Sequence, residues 1–188
     1  MAFRISITEG SFILSYLEFI CISFSGNCFL ILFRYPFMLL AAGGIGVTPV
    51  MGMLKDVYDV NLPDYMQNQL PHAIQTIYFM WVMPTIADYS SFKDEIQVIV
   101  EKSKAPGRPK LVLLIYVTRS KDALDEPFIS GRPKIGKLFE RMISDHPQKA
   151  GLVFACGPSP LVSELWDNCI QNTLKGKRID FHHEVFEF

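Results

Sequence analysis

Two hydrophobic patterns alternate along most of the chain. Short, unbroken apolar runs recur at Met38–Ala42, Thr76–Val82, Leu111–Val117 and Gly151–Ala155. Runs of this length, bounded by turn residues, predict strands covered on both faces. The strands are placed at about Pro36–Ala42, Thr76–Val82, Lys110–Val117, Gly151–Ala155 and Arg178–His182. Between them lie longer segments with apolar residues three and four apart, which predict helices over Thr48–Val60, Tyr89–Lys102, Lys134–Ser144 and Ser159–Asn172. Their buried stripes are Val50, Met51, Met53, Leu54, Val57 and Tyr58; Phe92, Ile96, Ile99 and Val100; and Ile135, Leu138, Phe139 and Met142. Polar connectors carry the breaks: a loop with Pro63 and Pro71, Pro84 ending the second strand, the turn Ala105–Pro109, and an acidic loop to Pro127.

Strands alternating with helices imply right-handed crossovers. The expected fold is α/β, a doubly wound five-stranded parallel sheet with helices on both faces. Ligands of such sheets bind at the carboxyl ends of the strands, near the switch in strand order. The glycine turn after the first strand, Trp81-Val82 closing the second, Thr118-Arg119 after the third and Cys156-Gly157-Pro158 after the fourth all fall on that edge. One crevice could collect them.

Residues 1–35 follow a different pattern. Ser11–Phe33 is strongly apolar but interrupted by Glu18, Gly26 and Asn27. Its length approaches a bilayer span, yet the carboxylate and the Gly-Asn break oppose a clean transmembrane helix. It starts late for a signal peptide and has no basic leader beyond Arg4. A membrane-associated segment, a buried element, an insertion and misplaced sequence all stay open. The expected organisation is an apolar segment over 1–35 and a nucleotide-binding domain over 36–188.

Composition narrows the function. The 188 residues are 49% hydrophobic and 20% charged, with net charge −1, which gives no electrostatic footprint for nucleic acid. Cys21, Cys28, Cys156 and Cys169 form no close pair, so neither a zinc site nor a disulfide framework is indicated, and a reducing compartment fits. Cys169, midway along a helix, is expected in the core. His182 and His183 are adjacent on a strand, face opposite ways and make a poor metal pair.

The candidate chemistry sits in the turns. Gly43, Gly44 and Gly46 permit a sharp strand-to-helix turn, with Thr48 expected as N-cap and Pro49 as first helical residue. Ser159 and Pro160 are expected in the same roles at the last helix. A bare glycine turn before a helix favours an anion, so it reads as a phosphate cradle with Gly46 leaving room for pyrophosphate; a tight structural turn is the alternative. Thr118, Arg119 and Arg132 can contact phosphate, against solvated loop cations as the alternative. Asp122, Asp125 and Glu126 offset that field. Cys156 followed by Gly157 can lie against a flat ring, or be a buried structural cysteine. The terminal Phe188 either covers a ring or only packs.

These residues converge on a family. Leu39-Leu40-Ala41-Ala42-Gly43-Gly44-Ile45-Gly46-Val47-Thr48-Pro49, Ile77-Tyr78-Phe79-Met80-Trp81-Val82, Gly131-Arg132-Pro133 and Val153-Phe154-Ala155-Cys156-Gly157-Pro158 stand in order, followed by a phenylalanine tail. From Pro36 to Phe188 the chain resembles the NADPH-binding module of the ferredoxin–NADP reductase superfamily, in its ferric reductase and NADPH oxidase branch. The resemblance implies that Gly43, Gly44, Ile45, Gly46, Val47, Thr48 and Pro49 cradle the NADPH pyrophosphate and that Trp81 stands beside the cleft. It implies that Thr118, Arg119 and Arg132 contact the adenosine ribose and 2′-phosphate. Cys156, Gly157 and Pro158 would border the nicotinamide, and Phe188 would stack near the flavin. Cys156 and Phe188 would be the catalytic positions.

The same resemblance implies hydride delivery from NADPH to FAD held mainly by another domain, with haem in a membrane domain and ferric iron or dioxygen as acceptor. This domain would face the cytoplasm. Three departures accompany it. No full flavin barrel precedes residue 36, although Ile7-Thr8-Glu9-Gly10-Ser11-Phe12 faintly resembles a barrel end. Met83-Pro84 stand where relatives often carry an arginine. The loop after Arg119 is acidic, which leaves NADH open as the nucleotide. The alternative function is a non-catalytic nucleotide-binding or regulatory remnant without flavin.

Overall fold

The computed structural model describes residues 35–58, 60, 74–120, 124–147 and 149–185. The apolar segment, most of the loop with Pro63 and Pro71, Asp122 and Phe188 lie outside the described residues.

The apolar runs form strands with the expected burial. β1 (Phe37–Gly43) and β5 (Gly151–Gly157) are buried along their whole length, and β2 (Thr76–Met83) at all but one position. β3 (Lys110–Val117) and β6 (Ile179–Val185) complete the set of strands expected from the sequence. A sixth strand is added by β4 (Phe128–Ser130), which pairs Ile115–Val117 in parallel register. The expectation of a five-stranded sheet is therefore corrected to six, in the order β4-β3-β2-β1-β5-β6. All the neighbouring pairs run parallel. At three residues, two of them exposed, β4 shows neither the length nor the apolar run that marks the others.

Helices α1 (Val47–Val57), α2 (Lys93–Ser103), α3 (Ile135–Asp145) and α4 (Ser159–Leu174) cover the two faces. Successive β1 side chains point to opposite faces. Met38, Leu40 and Ala42 join Val50, Leu54, Ile96 and Ile99 in the core beneath α1 and α2. Phe37, Leu39 and Ala41 join Leu138, Phe139, Met142, Leu165 and Cys169 beneath α3 and α4. α2 starts later than the apolar spacing suggests. Thr85 donates its backbone N–H and its hydroxyl to Asp88 Oδ2, both at 3.2 Å, and opens a 3-10 segment over Ile86–Phe92 instead.

The chain winds outward from β1 through β2, β3 and β4, then returns to the other side of β1 for β5 and β6. The switch point thus lies between β1 and β5. Their connections leave toward opposite faces and open a crevice at the carboxyl edge.

Candidate functional site

The crevice is floored by two glycine turns in backbone contact. A β-carbon on Gly157 would lie 2.9 Å from the Gly43 nitrogen, and one on Gly43 would lie 2.6 Å from Pro158 Cδ. One on Gly46 would lie 2.2 Å from the carbonyl oxygen of Cys156 and 3.2 Å from its Sγ. This corrects the reading of Gly46 as room for pyrophosphate, because the space beside it holds the neighbouring strand. Gly44 is the open position. Its φ is +54°, and a β-carbon there would meet nothing within 4 Å.

A 3-10 turn, Gly44–Gly46, leads into α1, whose N-cap is Gly46 and carries no side-chain cap. Thr48 is thus not the N-cap. It is the second helical residue, and its hydroxyl donates to the Ile45 carbonyl at 3.1 Å. Pro49 is third, still within the first turn, where a missing N–H costs little. Ile45 is 60% exposed at the tip of the turn. At α4 the boundary likewise shifts by one residue: Pro158 is the N-cap, and Ser159 and Pro160 are the first two helical residues.

Trp81 does not face the cleft. It is 1% exposed, and its indole Nε1–H donates to the Gly44 carbonyl at 3.0 Å. The ring stands under the turn that borders the cleft and supports it. Cys156 is fully buried, paired beside Ala42 on one side and Glu184 on the other. Burial, and then the Glu184 carboxylate, push its thiol up to about 12, so it stays protonated at neutral pH. A buried, neutral thiol suits the structural alternative for this cysteine. Pro158 is exposed at the crevice rim and Gly157 is buried in its floor. Cys169 is 3% exposed in the core, as expected.

Thr118, Arg119 and Arg132 come together at the far end of the same edge. The Thr118 and Arg119 N–H groups donate to Met83 O at 2.9 Å and Pro84 O at 3.1 Å, binding the end of β3 to that of β2. Gly131 N–H donates to Val117 O at 2.9 Å, and Ser130 Oγ donates to Ser120 O at 2.9 Å, which brings the Arg132 turn alongside. Both arginines are exposed. Beside them is a shallow cleft of about 220 Å³ lined by Pro84, Thr85, Ile86, Val117, Arg119 and Ser120. Sequence reasoning missed Thr85, Ile86 and Ser120. The available signal was Pro84-Thr85-Ile86, which follow the second strand directly at the same edge.

The sequence profile of the ferric reductase NAD-binding domain matches residues 35–128, half of the chain. The chain belongs to the ferric reductase NAD-binding domain family. This NAD-binding domain is 28% identical to human (Homo sapiens) NADPH oxidase 4 over 164 residues, covering 81% of the chain and 27% of that protein. It is 26% identical to respiratory burst oxidase homolog protein B of Solanum tuberosum, covering 81% of the chain and 21% of that protein. The chain therefore spans roughly a quarter of the length of these relatives.

Among solved structures, the domain is similar to the CS-b5R domains of human Ncb5or in the NAD+ form. The TM-score is 0.56 at 16% identity, over 79% of this chain and 37% of that one. It is also similar to the FAD/NAD-binding domain of nitric oxide dioxygenase from Vibrio cholerae O1 biovar El Tor, with TM-score 0.50 and 15% identity, over 81% and 52%. At these identities the likeness concerns the fold. The glycine turn, Trp81 and Thr118-Arg119 lie inside the profile match of the NAD-binding domain, whereas Arg132 and Cys156-Gly157-Pro158 lie beyond it.

Proposed function

We propose that this domain binds NADPH across the carboxyl edge of its sheet, within a longer membrane oxidoreductase that reduces ferric iron or dioxygen. The observation carrying the reading is the pair of abutting glycine turns at the β1/β5 switch point, with Gly44 open to solvent before the uncapped α1. That arrangement fits a pyrophosphate, because the positive end of the helix dipole favours an anion. Arg119 and Arg132, exposed at the far end of the same edge, would take an adenosine 2′-phosphate, and the Pro84–Ile86 wall would offer the adenosine a surface.

Bound NADPH supplies the hydride. The chain's own residues would orient it: the Gly44–Gly46 turn would hold the pyrophosphate, the arginines the 2′-phosphate, and Gly157-Pro158 would leave a low wall beside the nicotinamide. FAD belongs chiefly to the flavin domain of the longer protein, haem to its membrane domain, and this domain faces the cytoplasm.

Calorimetric titration of the chain with NADPH and NADH tests the reading. Saturable binding with NADPH preferred is expected. Absence of binding by either nucleotide to folded protein overturns it. A full-length protein with FAD that oxidises NADPH excludes the non-catalytic alternative; no turnover with flavin present favours it.

A further inference from the structure

Trp81 spends its only polar atom on the glycine turn. Its Nε1–H donates to the Gly44 carbonyl at 3.0 Å, and the same carbonyl accepts the backbone N–H of Val47. Glycine at φ +54° has wide conformational freedom, so hydrogen bonds rather than sterics set how this peptide is turned. A trans peptide carries its C=O and the following N–H on opposite edges of one plane. Holding the Gly44 carbonyl toward the buried indole therefore points the Ile45 N–H away from it. Ile45 is 60% exposed, and the space beyond Gly44 is open. The indole is itself confined. Phe92 meets it edge-on at 5.7 Å between ring centroids and Tyr89 at 6.2 Å.

We propose that Trp81 is a positioning residue for the nucleotide pyrophosphate: it never touches the ligand, and it aims the Ile45 N–H at it by fixing the Gly44 carbonyl. The inference rests on the nucleotide-binding reading above. Trp81→Phe keeps the ring contacts with Phe92 and Tyr89 and removes the donor. The Gly44 carbonyl retains the Val47 N–H, so the turn keeps one bond but loses the one that ties it to β2.

The chain and its Trp81→Phe variant are titrated calorimetrically with NADPH, which carries the pyrophosphate, and with adenosine 2′-monophosphate, which keeps the 2′-phosphate and has no phosphate on its 5′ side. The variant is expected to bind NADPH roughly three- to tenfold more weakly, the worth of one hydrogen bond, and adenosine 2′-monophosphate unchanged. Equal weakening of both would make the role merely structural and overturn the inference. Unchanged NADPH affinity would overturn it while leaving the nucleotide-binding reading intact, whereas failure of the unsubstituted chain to bind either probe would overturn both.

If Trp81→Phe does not fold, the indole N–H resonance of Trp81 decides. The chain has two tryptophans, and Trp166→Phe assigns the signal. That resonance is expected to shift with NADPH and hold still with adenosine 2′-monophosphate; a resonance unmoved by bound NADPH would overturn the proposal.

Discussion

Gly46 lies so close to Cys156 that a β-carbon there would stand 2.2 Å from the Cys156 carbonyl oxygen, while one on Gly44 would meet nothing within 4 Å. The two glycines of one turn therefore answer to different constraints. Gly46 serves the junction of β1 with β5, and Gly44 serves the open side.

Substitution should separate these roles. Gly46→Ala forces backbone apart and is expected to cost about 1–3 kcal/mol, lowering Tm by roughly 2–12 °C. Gly44→Ala carries only the left-handed penalty of about 1–2 kcal/mol, but its methyl group projects where the pyrophosphate would approach. Thermal unfolding with and without NADPH checks both. Gly46→Ala should lower the midpoint and keep the nucleotide-induced rise, and Gly44→Ala should lose most of that rise. The opposite assignment would show that Gly46 faces the ligand.

The arginines should separate NADPH from NADH. Arg119→Ala and Arg132→Ala each remove a charge-assisted contact worth about 1.5–3 kcal/mol. Both side chains are exposed, so solvent screening places the loss near the lower end, about tenfold in NADPH affinity. NADH affinity should hardly change. Equal losses for both nucleotides in parallel titrations would remove the arginines from 2′-phosphate recognition.

Stability should fall on acidification because of His146. The imidazole is 7% exposed, stacks on Phe37 at 4.8 Å, and has no hydrogen-bond partner for either nitrogen among the described residues. Tyr78 meets it edge-on and gives its hydroxyl to Asp145. Burial first, then Lys149, lower its pKa; Asp145 opposes them. The folded state therefore binds the proton less readily than the unfolded chain. Stability from this group is intact above the ordinary histidine value of about 6.5 and is lost as pH falls below it. Urea unfolding of the chain and of His146→Phe, at neutral and mildly acidic pH, should show a smaller pH dependence in the variant. An identical dependence in both would exonerate His146.

Cys156 should resist alkylation. With the thiol buried and raised to about 12, peptide mass spectrometry after brief iodoacetamide treatment at mildly alkaline pH should find Cys156 unmodified in folded protein and modified in urea. Rapid labelling of the folded protein would place the thiol on an open surface and restore it as a candidate for direct contact.

Much of the sheet was legible because strands and helices are written in local periodicity. The buried stripe Ile135, Leu138, Phe139 and Met142 is visible one turn at a time, and the apolar run of β1 needs no knowledge of its neighbours. Cap positions were less legible. Thr48 has the chemistry of an N-cap, but a 3-10 turn that starts at Gly44 moves the helix boundary to Gly46.

By itself, then, the sequence determined an α/β chain with its glycine turns on one edge, because strand and helix periods and turn chemistry act within a few residues. Tertiary structure alone decided the rest. It recruited Phe128–Ser130 as a strand, because β3 offered an unpaired edge whose N–H and C=O groups required partners. It set Cys156 under Gly46 and the indole of Trp81 under Gly44, because parallel pairing brings the ends of β5 and β2 to either side of β1. Distances between residues remote in sequence depend on strand order and register. No local pattern encodes either, so the division of labour between Gly44 and Gly46 emerged only once the strands lay side by side.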